Sequence, residues 1–197
     1  MNDQVNLFLA EFNGVAPPDA LYVMEMGAND VSDAVNAFAA GQDGLGLAIL
    51  NAAVQSIVDH IQLLHAAGAR HFLVGNVPSP GYAPSVRALD PVFPGASQLA
   101  RDVAVAFNQI LSLALDSLEP LPDITITRVD AFATLDQVMA DPSSFGFTNV
   151  DDACIMPDIP PFTCRQPNSY FFWDGIHPTT AGASVFAREA ALQLGFY

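Results

Sequence analysis

Three short apolar runs, each followed by a longer stretch of helical period, constrain the fold of this chain most strongly. The runs are residues 20–26 (ALYVMEM), 71–77 (HFLVGNV) and 124–129 (ITITRV). Each is rich in β-branched or aromatic residues and lies next to Pro, Gly or Asp, which predicts β-strands. Near-continuous hydrophobicity favours central strands of a parallel sheet that helices cover on both faces. The alternation therefore predicts an α/β fold.

Amphipathic helices are predicted between and after these strands. The first has an apolar stripe at steps of four and three and ends at Gly68; the stripe consists of Leu50, Val54, Ile57, Ile61 and Leu64. A second helix is predicted over about residues 97–118, and a last one from Thr179 or Thr180 as N-cap to Gly195. The predicted order is strand, helix, strand, helix, strand, helix, helix, in a single domain over residues 1–197.

Composition excludes several classes of partner. The chain has 21 acidic and 6 basic residues, and its net charge of -15 makes nucleic acid and anionic membranes unfavourable partners. Asn, Asp, Gln or His interrupts every apolar segment before the roughly 18 residues that a membrane span needs, so no integral membrane segment is expected. Residues 1–4 (MNDQ) have no basic or apolar region of a secretory signal. We therefore expect no signal peptide in this chain, and its compartment stays open.

Residues 141–173 form a Pro-rich stretch that has no sustained period. We interpret it as a long ordered loop, which in a compact domain is typical of a lid or a binding wall. Cys154 and Cys164 lie within it, ten positions apart. This spacing is compatible with a disulfide and with two free thiols, and we favour the disulfide.

The first motif with chemical potential is Gly27-Ala28-Asn29-Asp30, directly after the first predicted strand. Ligands bind at this end of the strands in open parallel sheets. Gly27 permits a tight turn, and the side-chain amide of Asn29 can donate to a developing oxyanion. The alternative is that Asn29 and Asp30 only turn the chain and cap the following helix.

The second motif is Asp174-Gly175-Ile176-His177-Pro178, directly before the last predicted helix. An Asp three residues before a His can accept the Nδ1 proton of the imidazole, which leaves Nε2 free to act as general base. The alternatives are a capped turn with a satisfied His and a metal-ligand pair, although no Cys/His cluster supports a metal. The other three histidines are interpreted as structural; they are His60, His65 and His71.

Together, GxND after a strand and DGxHP before the C-terminal helix resemble two blocks of the SGNH, or GDSL, family of esterases and lipases. The segments NVPSPGYAP, AFNQILSLAL and DAFATLDQVMADPSSFGFTNVDDAC are similar to its bacterial lipase/acylhydrolase branch. The resemblance implies a three-layer α/β/α sandwich with a parallel sheet and no cofactor. It also implies Asp174 and His177 as acid and base of a Ser-His-Asp triad, and Asn29 as an oxyanion donor with Gly27 shaping its turn. Members of the family are often secreted.

The nucleophile block of the family is missing from this chain. In the family the nucleophilic Ser lies in a GDS motif after the first strand, and a Gly in the following block supplies a second oxyanion donor; this chain contains neither motif. We therefore expect a partial, N-terminally truncated domain. Ser32 and Ser79, which follow the first and second predicted strands, are candidate replacement nucleophiles. Their alternative roles are a helix-cap Ser and a turn Ser.

The expected truncation has a consequence for assembly. Sheets of the family run in the order 2-1-3-4-5, so the strand near residues 20–26 occupies the third position and lacks one neighbour. An unpaired strand edge can pair with another chain. The sequence therefore predicts a homodimer, or a larger assembly, through this strand.

Two functions remain open. The first is a carboxylic ester hydrolase acting on short or medium acyl esters, with a small acyl ester as substrate. The second is a catalytically inactive remnant that serves as a binding or assembly module. A metal-dependent phosphoesterase with Asp30, Asp130, Asp174 and His177 is less favoured, because these residues are scattered and no two-metal motif is present.

Overall fold

A computed structural model describes residues 1–155 and 160–196. The chain divides into a first unit, Met1–Val77 with Val105–Val129, and a second unit, Pro78–Ala104 with Asp130–Tyr197. The described helices are α1 Asn2–Glu11, α2 Ala28–Ala39, α3 Asp43–Ala66, α4 Pro84–Arg87, α5 Ala96–Asp116, α6 Ala131–Ala140 and α7 Thr180–Gln193. The described strands are β1 Leu21–Glu25, β2 His71–Gly75, β3 Thr125–Val129, β4 Asn149–Ala153 and β5 Tyr170–Phe172. The predicted α/β class is confirmed, whereas the single domain stays a prediction.

The first unit contains a parallel three-stranded sheet in the order β1-β2-β3. All three strands predicted from the sequence are present, each shorter by one or two residues than expected. Phe72, Leu73 and Val74 of β2 are buried, as expected of a central strand. β1 and β3 are each bonded to β2 alone among the described strands, so both are edge strands rather than central ones, and Val23 of β1 is 62% exposed.

Helix α3 is the predicted amphipathic helix, extended at its N-terminus. Its five stripe residues are buried, and Gly68 lies just beyond its end at φ 121°. Helix α3 has 24 residues and contains an 18-residue window with a mean hydropathy of 1.4, so length and composition alone would allow it to span a membrane. The buried stripe is also what a helix packed in a protein core requires. The expected absence of a membrane segment stays a prediction.

Helix α1 was not predicted from the sequence. Val5 is its only buried residue, so the helix has no apolar stripe that periodicity would detect. Aromatic contacts hold it instead, since Phe8 stacks on Phe12 at 4.6 Å and meets the edge of Tyr22 at 5.8 Å. Tertiary contacts with β1 thus stabilise a helix that is weakly specified by its own sequence.

The stretch expected to be a loop contains regular structure in the second unit. β4 and β5 pair in parallel, and the bridge between Cys154 and Cys164 is present, as the sequence favoured. The strands escaped prediction because β4 (NVDDA) is largely polar and β5 has three residues. They are anchored by a buried cluster of Ala83, Leu135, Val138, Phe147, Phe171 and Phe172. Residues 156–159 of the expected lid lie outside the described residues.

A charged network helps to hold the second unit together. The Arg101 guanidinium donates to both carboxylate oxygens of Asp136 at 2.7 Å and lies over the Phe132 ring, 4.6 Å from its centroid. The Tyr82 hydroxyl donates to the same carboxylate at 2.9 Å. The bonds from Arg101 lower the pKa of Asp136, although burial opposes this, and the bond from Tyr82 contributes to the shift.

We predict that Asp136→Asn lowers the free energy of unfolding by about 1 kcal/mol at pH 7, because a bidentate ion pair about one-third exposed is only partly screened. A lowered carboxyl pKa stabilises the fold above the ordinary pKa, and this contribution is lost as the pH falls through the folded-state pKa. In urea unfolding, the difference from wild type should therefore shrink as the pH falls below the ordinary carboxyl pKa. The exposed Asp152→Asn is the matched control, and an Asp136→Asn effect independent of pH would contradict the prediction.

Candidate active site

The Asp174-to-His177 turn directly follows β5 and is shaped by its own carboxylate. Asp174 Oδ1 accepts hydrogen bonds from the backbone N–H groups of Ile176 at 2.8 Å and His177 at 2.7 Å. The Trp173 N–H closes the turn by donating to the His177 carbonyl at 2.8 Å. Asp and Asn favour such turns because their side chains bond the backbone two or three residues ahead. The turn therefore forms from local sequence.

The same carboxylate orients the imidazole. His177 Nδ1 lies 2.8 Å from Asp174 Oδ2, and the His177 side chain is 73% exposed. Since an ionised carboxylate only accepts hydrogen bonds, the proton of a neutral ring belongs on Nδ1 and the lone pair on Nε2. This arrangement can remove a proton from a group that approaches Nε2.

Asp174 is ionised at neutral pH. Burial opposes ionisation, but hydrogen bonds from the His177 N–H, the His177 ring and the Ile176 N–H outweigh it and lower the pKa of Asp174 below its ordinary value. A charged Asp174 can stabilise the imidazolium that forms when His177 takes up a proton. The pair thus has the electrostatics of a general base.

Helix α7 fixes the exit of the turn. Its N-cap is Thr179, whose hydroxyl accepts from the Gly182 N–H at 3.0 Å, as the sequence predicted. The same hydroxyl donates to the Tyr170 carbonyl at 2.7 Å, which ties the start of the helix to β5.

The predicted oxyanion residues lie in the first unit, after β1. Gly27 has φ 110°, and a Cβ there would lie 2.3 Å from the Phe107 ring, so only glycine fits. Gly27 is the N-cap of α2, and no side chain caps this helix. Asn29 is exposed in its first turn and makes no side-chain hydrogen bond to the described residues. The Asn29 side chain therefore does not cap α2, which was the alternative role considered for it from the sequence.

The candidate residues are divided between the units. Asp174, His177 and Ser79 belong to the second unit, whereas Gly27 and Asn29 belong to the first. Within the second unit Asp174 and His177 are in hydrogen-bond contact. Their common role with the oxyanion residues stays a prediction.

The two candidate nucleophiles differ in environment. Ser32 is exposed on α2, in the first unit. Ser79 is 3% exposed, and its hydroxyl has no hydrogen-bond partner among the described residues, so no hydrogen bond links it to His177. A nucleophile should lie within hydrogen-bond reach of its base, although this contact often tightens only with substrate bound. Both roles stay hypotheses.

Two of the remaining histidines have structural contacts, whereas His71 is exposed on β2. His60 is buried with Nδ1 2.5 Å from the Ser56 carbonyl oxygen, and His65 Nε2 lies 2.8 Å from the Pro122 carbonyl oxygen. Across the described part of the chain, no group of three or more His, Cys, Asp or Glu side chains is placed to hold a metal ion.

Sequence reasoning missed Ser85, which donates two hydrogen bonds to the Gly175 carbonyl oxygen in the Asp174-to-His177 turn. The two residues are 90 positions apart. A Ser in a Pro-rich segment carries no signal for so distant a contact, and only the tertiary structure shows it.

Comparison with known proteins gives the family. The family model described as GDSL-like Lipase/Acylhydrolase matches residues 1–190. The chain belongs to this family. Within the GDSL-like family it is similar to the Arabidopsis thaliana GDSL esterase/lipase At2g04570, with 29% identity over 86% of this chain and 52% of the relative. It is also similar to GDSL esterase/lipase At1g73610 from the same plant, with 31% identity over 87% of this chain and 49% of the relative.

The GDSL-like match has a limited span. The chain covers about half the length of the curated relatives it matches. A third relative, GDSL esterase/lipase At1g58525 of Arabidopsis thaliana, is 31% identical over 68% of this chain and 42% of its own length. These relatives are plant proteins, so the bacterial branch and the missing serine block stay predictions.

We predict that Ser79→Ala leaves the stability of this GDSL-like chain unchanged or raises it by up to about 1 kcal/mol, because the substitution removes a buried hydroxyl without a partner. Thermal unfolding of the variant and wild type measures this. Thr134→Val is the matched control and should be destabilising, since the buried Thr134 hydroxyl donates to the Asp130 carbonyl at 2.8 Å. A clear loss of stability in Ser79→Ala would show that the hydroxyl has a partner.

Proposed function

We propose that this chain is a carboxylic ester hydrolase of GDSL type that acts on esters with short or medium acyl chains. Family membership supports ester hydrolysis as the reaction class. The observation that carries the proposal is the contact between His177 Nδ1 and Asp174 Oδ2 on an exposed turn. This pair is what general-base catalysis of ester cleavage requires.

In the proposed mechanism His177 moves one proton twice. Nε2 takes the proton of the attacking hydroxyl or water as its oxygen bonds to the ester carbonyl carbon. The carbonyl π electrons move onto oxygen and give a tetrahedral oxyanion, for which the side-chain amide of Asn29 is the predicted donor. The oxyanion electrons then re-form the carbonyl double bond as the C–O bond to the leaving group breaks, and the imidazolium gives its proton to the leaving alkoxide. Asp174 remains ionised throughout and offsets the charge on the ring.

The nucleophile in this proposal is water, or the hydroxyl of Ser32 or Ser79. The His177 side chain is 73% exposed, so water can reach it. Of the two serines, Ser79 is the less accessible because it is buried. Water as the nucleophile gives one-step hydrolysis, whereas a serine gives an acyl-enzyme that water cleaves in a second step.

The catalytic pair is tested by hydrolysis of p-nitrophenyl acetate and butyrate. We expect His177→Ala to lower kcat/KM by about 10³-fold or more and Asp174→Asn by about 10²- to 10⁴-fold, because each removes the base or its orientation. His71→Ala, an exposed histidine on β2, is the matched control and should keep wild-type activity. Hydrolysis that survives His177→Ala would contradict the mechanism.

Labelling with a fluorophosphonate, followed by intact mass and peptide mapping, identifies the nucleophile. A single adduct on Ser32 or Ser79 that the corresponding Ala variant abolishes would assign that serine. Turnover without an adduct, lost in His177→Ala, would assign water. If the wild type showed neither turnover nor adduct, the proposal would fail and the chain would be a catalytically inactive remnant.

We also propose that two copies of this chain associate through β1. One edge of β1 has no strand partner among the described residues, and Leu21 and Val23 on this strand are 43% and 62% exposed. They also line a groove of about 360 Å³, whose other walls come from α1, from residues in and next to β1, and from Leu64 of α3. Two such edges can pair about a twofold axis, because each offers the same backbone donors and acceptors.

Light scattering at micromolar concentration should therefore give the mass of a dimer or larger assembly for the wild type. Val23→Lys should shift the mass to that of a monomer, because a charge on an edge strand opposes strand pairing. Leu113→Lys is the control, since Leu113 is 71% exposed on α5, outside β1. A monomeric wild type would contradict this proposal.

A further inference from the structure

Ser85, the second residue of α4, connects the turn that carries His177 to the rest of the second unit. The Ser85 N–H donates to the Gly175 carbonyl oxygen at 3.0 Å, and the Ser85 hydroxyl donates to the same oxygen at 2.8 Å. Gly175 lies between the two members of the candidate catalytic pair. Ser85 thus donates both hydrogen bonds to the Gly175 carbonyl.

The other hydrogen bonds of the turn do not replace this contact. The bonds that Asp174 Oδ1 and the Trp173 N–H make remain within residues 173–177, so they shape the turn without fixing its position. The Ile155 N–H donates to the Trp173 carbonyl at 2.8 Å and so secures only the residue where the turn begins. The His177 ring, 73% exposed, gains little from packing. Ser85 is therefore the described residue that secures the middle of the turn.

The fit between Ser85 and Gly175 is close. A Cβ on Gly175 would lie 3.1 Å from the Cβ of Ser85, which is tighter than ordinary van der Waals contact. The absence of a side chain at Gly175 lets the two segments approach closely. Helix α4 is itself held, because Arg87 forms an ion pair with Asp151 of β4. Ser85 therefore presents its donors from a supported position.

We infer that Ser85 is a positioning residue for the proposed hydrolysis: it holds the Gly175 carbonyl and thereby keeps the Asp174 carboxylate and the His177 ring where the substrate meets them. This inference rests on the proposed function. Catalysis depends steeply on such placement, since a displacement of about 1 Å can cost about 100-fold in rate.

The test compares Ser85→Ala, Ser85→Thr and Ser184→Ala in hydrolysis of p-nitrophenyl butyrate. Ser85→Ala keeps the N–H bond to the Gly175 carbonyl and loses the hydroxyl bond. We expect this loss to lower kcat by about tenfold with little change in KM, because the ring is less well placed while substrate binding is kept. Ser85→Thr keeps the hydroxyl and should restore most of the rate. Ser184 of α7 also donates its hydroxyl to a backbone carbonyl, that of Thr180 at 2.7 Å, so Ser184→Ala is the matched control and should behave as wild type.

A second measurement does not depend on activity. Amide hydrogen exchange by NMR should show the Ile176 and His177 N–H groups exchanging several-fold faster in Ser85→Ala than in wild type, and at wild-type rates in Ser184→Ala. Unchanged exchange in Ser85→Ala, or an equal loss of kcat in Ser85→Thr, would overturn the positioning role. An inactive wild type would overturn the proposed function instead, and the exchange rates would still show whether Ser85 secures the turn.

Discussion

The Asp174 carboxylate is the group on which the candidate site depends. One of its oxygens accepts two backbone N–H groups and so builds the turn, while the other accepts the imidazole Nδ1. The same carboxylate therefore shapes the turn and orients the imidazole. The hydrogen bonds that shape the turn also lower the pKa of Asp174 against the opposing effect of burial. The residue stays charged where a general base needs a negative partner.

Contacts with other segments of the second unit fix the position of the turn, which its local hydrogen bonds do not. The bridge between Cys154 and Cys164 lies beside β5, and the Cys154 N–H donates to the Phe172 carbonyl at 3.0 Å. Thr179 connects α7 to the same strand, and Ser85 secures the Gly175 carbonyl. Each contact comes from a different segment of the second unit. The exposed side chains of Asp174 and His177 are thus carried by a backbone that contacts from three other segments restrain.

Sequence reasoning succeeded where one local pattern determines the structure. The strands of the first unit, the stripe of α3 and the Thr179 cap follow from periodicity, burial and hydrogen-bonding chemistry that act within a few residues. The DGIHP spacing likewise anticipated the contact between Asp174 and His177, because an Asx-type turn brings these positions together.

Long-range packing accounts for what the sequence did not reveal. β4 is polar and β5 is short, so their pairing depends on the buried aromatic cluster of the second unit rather than on alternation. Helix α1 is held by the contact of Phe8 with Tyr22 of β1, not by a stripe of its own. The Ser85 contact joins positions 90 residues apart, and the need for glycine at position 27 arises from Phe107.

The most direct test is the tautomer of neutral His177, read from the ¹⁵N chemical shifts of its ring. The account predicts a proton on Nδ1, held by Asp174, with Nε2 unprotonated and free to accept a proton. In Asp174→Asn this preference should be lost. A wild-type ring protonated mainly on Nε2 would contradict the account, because such a ring could not serve as the general base at its exposed side.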